Sequence, residues 1–567
     1  MNDIRRTILW VIFGFSMVML WDKWQLYNGK QATFFPGATP IAAPAPAASA
    51  PDGVPSAITS VAASAQPTRA TAELVPQTAK AIASEKVVVE TDVLKITFST
   101  EGGSVVRAEF LKHQDMADKT RNFVLLDDSK DRVYLAQSGL IAAAAGGAGL
   151  PTHKSIMTLT PGERRLKDGS QSLELRFESP EVGGIKLVKT YTLTRGSYAV
   201  AVRHEVFNLG ATAVAAQLYL QLVRDGNKPP GESSFYSTFT GPAVYTEAKK
   251  YQKVEFADIE KGKFDIEKLA ENGYVAMVQH YFASAWLLGD GIKRELFMRK
   301  VDNNFYSVGM IAPLDPIAAG ASKAIEARFF AGPQEETVLE GLAPGLELVK
   351  DYGWLTMLAK PLYWLLVKLH ALISNWGWSI MALVLLLKAA FYWLNAKAYA
   401  SMAKMKAVNP KITEMRERLK DNPQQMQQEM MRIYREEKVN PMGGCFPIMI
   451  QIPVFIALYW VLLASVEMRN APWLGWIHDL SSPDPYYILP LVMTLTTVLQ
   501  TSLNPAPPDP MQAKMMWFMP LAFSVMFFFF PAGLVLYWIT NNVLSIAQQW
   551  VINTRMGVPP KFHLPKF

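Results

Sequence analysis

Residues Trp376 to Leu394 read WGWSIMALVLLLKAAFYWL, nineteen residues whose only charge is Lys388. A stretch so long and so apolar can cross a bilayer, and in hydrocarbon its backbone is satisfied only as a helix. A cation inside it costs ~2.5–3.5 kcal/mol on insertion scales, which makes Lys388 a candidate functional residue. The plainer reading is escape. Six apolar residues, Ala389 to Leu394, separate it from the polar Asn395, about 9–10 Å of helix rise. A lysine stem covers much of that distance by snorkelling.

Four more apolar segments follow: Phe446–Ala464, Tyr486–Leu503, Met515–Phe530 and Leu534–Val551. Pro531-Ala532-Gly533 predicts a tight hairpin between the last two. Near the start, Thr7 to Trp21 follows Arg5 and Arg6. Trp21, Asp22, Lys23 and Trp24 offer no small-residue cleavage site, so an uncleaved anchor is expected, with the arginines on the cytoplasmic side. The sum is six spans with both termini cytoplasmic. Several spans have few apolar residues, which favours local thinning, tilting or mutual packing. Tyr352 to Ile373 is apolar at helical spacing but carries Lys360, Pro361, Lys368 and His370. It predicts an amphipathic helix lying in the outer interface.

The loops set the orientation. Asn395 to Asn440 holds ten basic and six acidic residues, which places it in the cytoplasm. Asn409-Pro410 and Asn422-Pro423 each predict a helix start with proline in the first turn, giving two short antiparallel helices. Met402, Met405, Met415, Met426, Met430 and Met431 concentrate there. Methionines at such positions fill gaps between helices or present an adaptable docking face. The loop before Tyr486 has Arg469 against Glu467, Asp479 and Asp484 and reads as extracytoplasmic.

Residues 31–80 are Ala-, Pro-, Ser- and Thr-rich, as in TPIAAPAPAASAPDGVPSA, and predict a flexible linker. From about Glu85 to Leu342 period-two alternation takes over. Leu173, Leu175 and Phe177 alternate with Glu174 and Arg176. Val200, Val202, His204 and Val206 alternate with Arg203 and Glu205. Leu218, Leu220 and Leu222 alternate with Gln217, Tyr219 and Gln221. Gly, Asn, Asp and Pro clusters separate these runs, the pattern of an antiparallel β-sandwich.

Over 567 residues the chain is 50% hydrophobic and 19% charged, which fits a mixed membrane and soluble architecture. The net charge of +7 is better read as loop asymmetry than as nucleic-acid binding. A single cysteine, Cys445, excludes an internal disulfide and any multi-cysteine metal cluster. HExxH, GxxxxGK[ST] and GxSxG are all absent, so no metal, cofactor or catalytic residue is expected.

The spans carry polar residues of their own. Gln451 lies in the third. Thr494, Thr497, Gln500 and Thr501 lie in the fourth. Tyr537, Asn541, Ser545 and Gln548 draw a stripe along the sixth, with Trp538, Asn542 and Gln549 beside it. Such groups serve as interhelical glue or line a wet cavity.

Several motifs resemble the YidC/Oxa family of membrane-protein insertases: SMAKMKAVNPKITEMRERLKDNPQQMQQEMMRIYREEKVNPMGGCFPIMIQIPVFIALY, WIHDL, DPYYILP, PDPMQAKMMWFMP and FPAGLVLYWITNN. The resemblance covers about Asp351 to Val551, and the anchor, linker and sandwich before it resemble the Gram-negative form. It implies a multidomain membrane protein: an N-terminal anchor helix (1–30), a linker (31–84), a periplasmic antiparallel β-sandwich (85–345) and an interfacial helix (346–374). A second span (375–394), a cytoplasmic helical hairpin (395–442), spans three to six (443–552) and a cytoplasmic tail (553–567) follow. The resemblance implies five core helices around a hydrophilic groove in the inner membrane, with Lys388 where the family usually has arginine. It implies a client-binding groove at Lys388, Gln451, Gln500, Tyr537, Trp538, Asn541 and Ser545. A docking hairpin would use Met402, Met405, Met415, Met426, Met430, Arg432 and Arg435. Implied partners are nascent membrane proteins, membrane lipids, the Sec translocon and the ribosome, with neither DNA nor a small-molecule substrate. The family's sandwich resembles carbohydrate-binding modules, yet no carboxylate or aromatic constellation singles out a ligand. Two rivals fit less well. A secondary transporter would show repeats or discontinuous spans, and a Ser–Lys protease would need Ser379 nearer to Lys388.

Overall fold

The computed structural model describes residues 53–55, 84–115, 118–143, 149–229, 238–419, 422–437, 446–504 and 510–557. The expected anchor, most of the linker and the tail after Gly557 lie outside the described residues. The described chain divides between Lys350 and Asp351 into two compact units.

The first unit is a sandwich of two nine-stranded antiparallel sheets. One runs in the order β1 (Lys86–Glu90), β2 (Leu94–Ser99), β3 (Ser104–Gln114), β4 (Asn122–Asp128), β5 (Val133–Ala142), β10 (Ala216–Asp225), β17 (Phe305–Pro313), β16 (Arg294–Asp302), β13 (Leu269–Ala270). The other runs β12 (Lys250–Lys253), β11 (Gly241–Thr246), β14 (Tyr274–Gln279), β15 (Phe282–Leu288), β18 (Ser322–Pro333), β9 (Ala199–Asn208), β8 (Ile185–Thr194), β7 (Ser172–Glu178), β6 (Thr158–Leu159). Two short helices, α1 (Phe256–Glu260) and α2 (Glu336–Leu342), complete it.

Alternation explains most of these strands. On β7, Leu173, Leu175 and Phe177 are buried while Glu174 and Arg176 are exposed. Rings fill the space between the sheets: Phe98 lies 4.8 Å from Tyr191, and Phe123 stacks on Phe282 at 4.0 Å. Strand β10 departs from the expected pattern. Its supposedly outward Tyr219 and Gln221 are fully buried. The reason is a cover on that face: the Tyr219 hydroxyl accepts from the His153 amide at 2.9 Å, and the Gln221 amide donates to Gly53 of the linker at 3.1 Å.

One buried group ties the sheets together by polar bonds. Lys189 on β8 is completely buried and donates to the carbonyls of Gly102 (2.6 Å) and Ser138 (2.7 Å) of the opposite sheet. His204 on β9 shares a 3.0 Å hydrogen bond with the Ser138 hydroxyl. Desolvation pushes the Lys189 pKa down to about 7 and that of His204 well below 6.5.

The second unit is helical: α3 (Thr356–Ile373), α4 (Trp376–Ala390), α5 (Tyr392–Arg418), α6 (Pro423–Glu436), α7 (Phe446–Ala464), α8 (Ile488–Leu503), α9 (Pro510–Met526) and α10 (Ala532–Arg555). Among the described residues no single helix is long and apolar enough to cross a membrane; the pair Trp376–Ala390 and Tyr392–Met405 passes together, bent by 68°. The straight span expected over 375–394 therefore breaks at Phe391. The two halves pack on different partners, α4 on α3 and α10, and α5 on α6 as well as α10.

The expected helix start at Asn409-Pro410 is also corrected, because Pro410 lies inside α5. A mid-helix proline costs ~3 kcal/mol. Here Val408, Ile412 and Met415 are buried around it, against Met426, Met430 and Ile433 of α6, and that packing carries the helix through. Asn422-Pro423 does open a helix, with the Asn422 side chain accepting from the Gln425 amide at 3.2 Å.

The 465–487 segment knits one end of the helices together. Asp484 accepts from the Leu489 amide at 2.7 Å at the start of α8. The first amides of α10, Ala532 and Gly533, donate to the carbonyls of Ser482 and Leu480. Asn375 caps α4 and donates to the carbonyls of Pro472 and Trp473. Gly377 admits Trp473 so closely that a Cβ there would meet the ring at 2.2 Å.

Candidate functional site

Lys388 occupies the last turn of α4, where the negative end of the helix dipole favours a cation. It does not reach outward along its helix. Its ammonium donates to the Ser545 hydroxyl of α10 at 2.7 Å, and Ser545 in turn donates to the Asn541 carbonyl at 2.7 Å. Around it lies a cleft of about 440 Å³, counted out to its open mouth. Helices α4, α5, α7 and α10 and the bend at Phe391 form its walls, with Lys388, Asn395, Gln451, Tyr537 and Asn541 as polar lining and Val384, Leu387 and Val454 among the apolar. Gln451 donates to the Asn541 side chain at 3.0 Å, and Asn395 contacts Gln548 at 3.4 Å. Among the described residues no carboxylate lines the cleft.

Helix α10 carries two polar lines with different roles. Tyr537, Asn541 and Ser545 face the cleft and its lysine. Asn542 and Gln549 face α8: Asn542 donates to Thr496 and Thr497 at 3.2 and 3.0 Å, and Gln549 to the Leu503 carbonyl at 3.4 Å. The second line is interhelical glue.

Lys388, Gln451, Tyr537, Asn541 and Ser545 thus come together, and two expected members do not. Trp538 points away and packs edge-on against Phe455 at 4.8 Å and against Phe527 at 4.9 Å. Gln500 sits half-buried on α8, outside the lining. Asn395 and Tyr399, whose hydroxyl lies within hydrogen-bonding reach of Ser545, were missing from the expected set. Their spacing of four on α5 was the available signal.

Four of the hairpin methionines turn inward, while Met431 is exposed. Met415 is buried, and Met405, Met426 and Met430 pack around it; they hold α5 to α6 rather than forming an outer docking face. Met402 is half-buried outside that cluster. Arg432 and Arg435 are exposed, and Arg432 pairs with Glu436 at 2.7 Å.

Residues 86–365 match the family described as YidC periplasmic domain, and residues 368–558 the family described as 60Kd inner membrane protein. A membrane protein insertase YidC of Cupriavidus necator is 56% identical over 558 residues, covering 98% of both chains. The chain belongs to the YidC family of membrane protein insertases. A YidC insertase of Ralstonia nicotianae is 55% identical and covers 99% of each chain. A crystal structure of an active YidC insertase with its first transmembrane domain resolved is 19% identical, covering 82% of this chain and 92% of its own, with a TM-score of 0.37. The match to the YidC periplasmic domain runs past Lys350, where the sandwich unit closes, and into α3.

Proposed function

We propose that this YidC-family insertase works through the Lys388 cleft. The obstacle to inserting a membrane protein is the polar flank of its helix, which must cross hydrocarbon before the helix can enter lipid. A cleft with polar side chains set in an apolar wall, part-way across, shortens the dry distance. Its walls supply amide donors and acceptors at Gln451, Asn541 and Asn395. A cation there attracts an acidic flank more strongly than it would in bulk water. The client helix then leaves sideways into lipid. No covalent bond changes, and the work comes from apolar partitioning and, for acidic flanks moving outward, from the membrane potential at ~2.3 kcal/mol per charge per 100 mV.

The observation that carries this reading is the pairing of Lys388 with a neutral hydroxyl in a cleft without carboxylates. Buried Lys189 of the sandwich also has neutral partners, but it is closed in by both sheets, whereas Lys388 borders an open cleft. Among the described residues no carboxylate lines the cleft, so on this reading Lys388 meets a negative charge brought by the client.

In this reading both termini and the α5–α6 hairpin are cytoplasmic, the sandwich is periplasmic and five core helices lie in the inner membrane. Nascent membrane proteins are the clients. Exposed Arg435 and its neighbours meet the ribosome or anionic headgroups, and the Sec translocon shares some clients. Site-specific crosslinking from Leu387 and Val454 to stalled nascent membrane proteins tests the cleft. Crosslinks at both positions are expected, and their absence, with crosslinks from lipid-facing positions instead, overturns the reading.

A further inference from the structure

The outer face of the β10 sheet holds a short linker segment, Gly53 to Pro55, that bends at Gly53. Gly53 and Val54 of the linker lie across β10 and β16. The Gly53 carbonyl accepts from Arg299 at 2.7 Å and from the buried Gln221 amide at 3.1 Å. The Val54 carbonyl accepts from the same guanidinium at 3.1 Å. Val54 packs on Ile141, Tyr219 and Ile311, with Phe297 alongside, and Pro55 is buried. Gly53 has φ +66°, so this turn of chain favours glycine.

The receiving groups are built in advance. Gln221 has no exposed surface and is oriented by Gln137 at 2.8 Å and Ser307 at 3.3 Å. Tyr219 is fixed by two contacts from His153, at 2.9 and 2.7 Å. Arg299 forms no ion pair among the described residues, its Nε has no partner, and the linker carbonyls take its forked nitrogens. A half-buried guanidinium without such acceptors leaves donors unmade, which is costly.

We propose that this groove is a peptide-binding site for Gly-apolar-Pro segments, occupied in cis by the chain's own linker and open to a second such segment when the linker leaves. In cis it clips the linker at Gly53, leaving only the residues before it as the tether ahead of the sandwich. In trans it would take a proline-containing stretch of another chain. Backbone carbonyls supply the affinity, and the Val54 and Pro55 pockets the selection.

The test uses the full-length protein in lipid nanodiscs and a fluorescent peptide copying residues 50–58. The wild-type chain is compared with Gly53→Val/Val54→Asp, which empties the groove without altering the sandwich. A third protein adds Arg299→Met, which keeps an apolar stem. The peptide is expected to bind the emptied groove at least tenfold more tightly than wild type, and Arg299→Met is expected to abolish that gain. Equal binding to the wild-type and emptied proteins, binding that survives Arg299→Met, or no binding to the emptied groove would each overturn the proposal. Hydrogen exchange across β10 and β16 verifies that each variant is folded.

Discussion

The Lys388 ammonium donates to the Ser545 hydroxyl at 2.7 Å, joining the last turn of α4 to the middle of α10. This bond directs the charge into a cleft between helices, and on the proposed mechanism a client carboxylate replaces its neutral partner. Charge-assisted bonds between two ions are roughly twice as strong as neutral ones. Ser545→Ala should therefore leave insertion largely intact, within about twofold, because the charge stays. An insertion assay in which Ser545→Ala fails as badly as loss of the lysine would show that the bond, rather than the charge, matters.

The two polar lines on α10 should separate by mutation. Asn542→Ala removes interhelical glue, worth ~0.6 kcal/mol, and should lower thermal stability slightly while leaving the choice of clients unchanged. Gln451→Leu with Asn541→Leu removes a bonded pair from the cleft wall. It should reduce insertion of polar-flanked clients several-fold with little loss of stability. Parallel melting and insertion measurements on these variants check the division of roles.

The sandwich should gain stability as pH rises. Lys189 has a folded pKa of about 7 against an ordinary 10.5, so between those values the unfolded chain binds the extra proton. Its penalty is complete below pH 7 and fades towards pH 10.5. His204, depressed below 6.5, adds a loss in the same direction as pH falls through and below 6.5. The Lys189 effect is on the order of a few kcal/mol. Hydrogen exchange of β5 and β8 amides in the intact protein, corrected for intrinsic rates, should show greater protection at pH 9 than at pH 7. Lys189→Met should flatten that difference, and a wild-type sandwich equally protected at both pH values contradicts it.

The sandwich should be dispensable for insertion itself. It closes as a unit at Lys350, and every cleft residue follows Asp351. A chain lacking most of residues 85–345 should complement cells depleted of their insertase. Failure despite normal expression and membrane assembly would contradict this.

Much of this was legible in the chain, for reasons that also mark the limits. Alternation on β7 and β9 reflects one buried face and reads directly. On β10 it misleads, because the covering groups, Gly53 and His153, come from distant sequence. The four-residue spacing of Tyr537, Asn541 and Ser545 revealed the cleft face of α10. The spacing could not show that Trp538 joins Phe455 and Phe527, since that depends on which neighbour a helix meets. The bend at Phe391 was hidden because the apolar run continues through it, while the packing of the two halves, on α3 and α6 as well as jointly on α10, is set by distant sequence.

The central claim is that the charge of Lys388 receives acidic client flanks. The direct measurement is the insertion rate of paired single-span clients, identical except for an acidic or a neutral extracytoplasmic flank, by Lys388→Arg, Lys388→Ala and Lys388→Glu. The account predicts near-normal rates for Lys388→Arg and a loss of about tenfold or more for Lys388→Glu on the acidic client, ~1.4 kcal/mol, with a much smaller loss on the neutral one. Full activity of Lys388→Glu on the acidic client would contradict it.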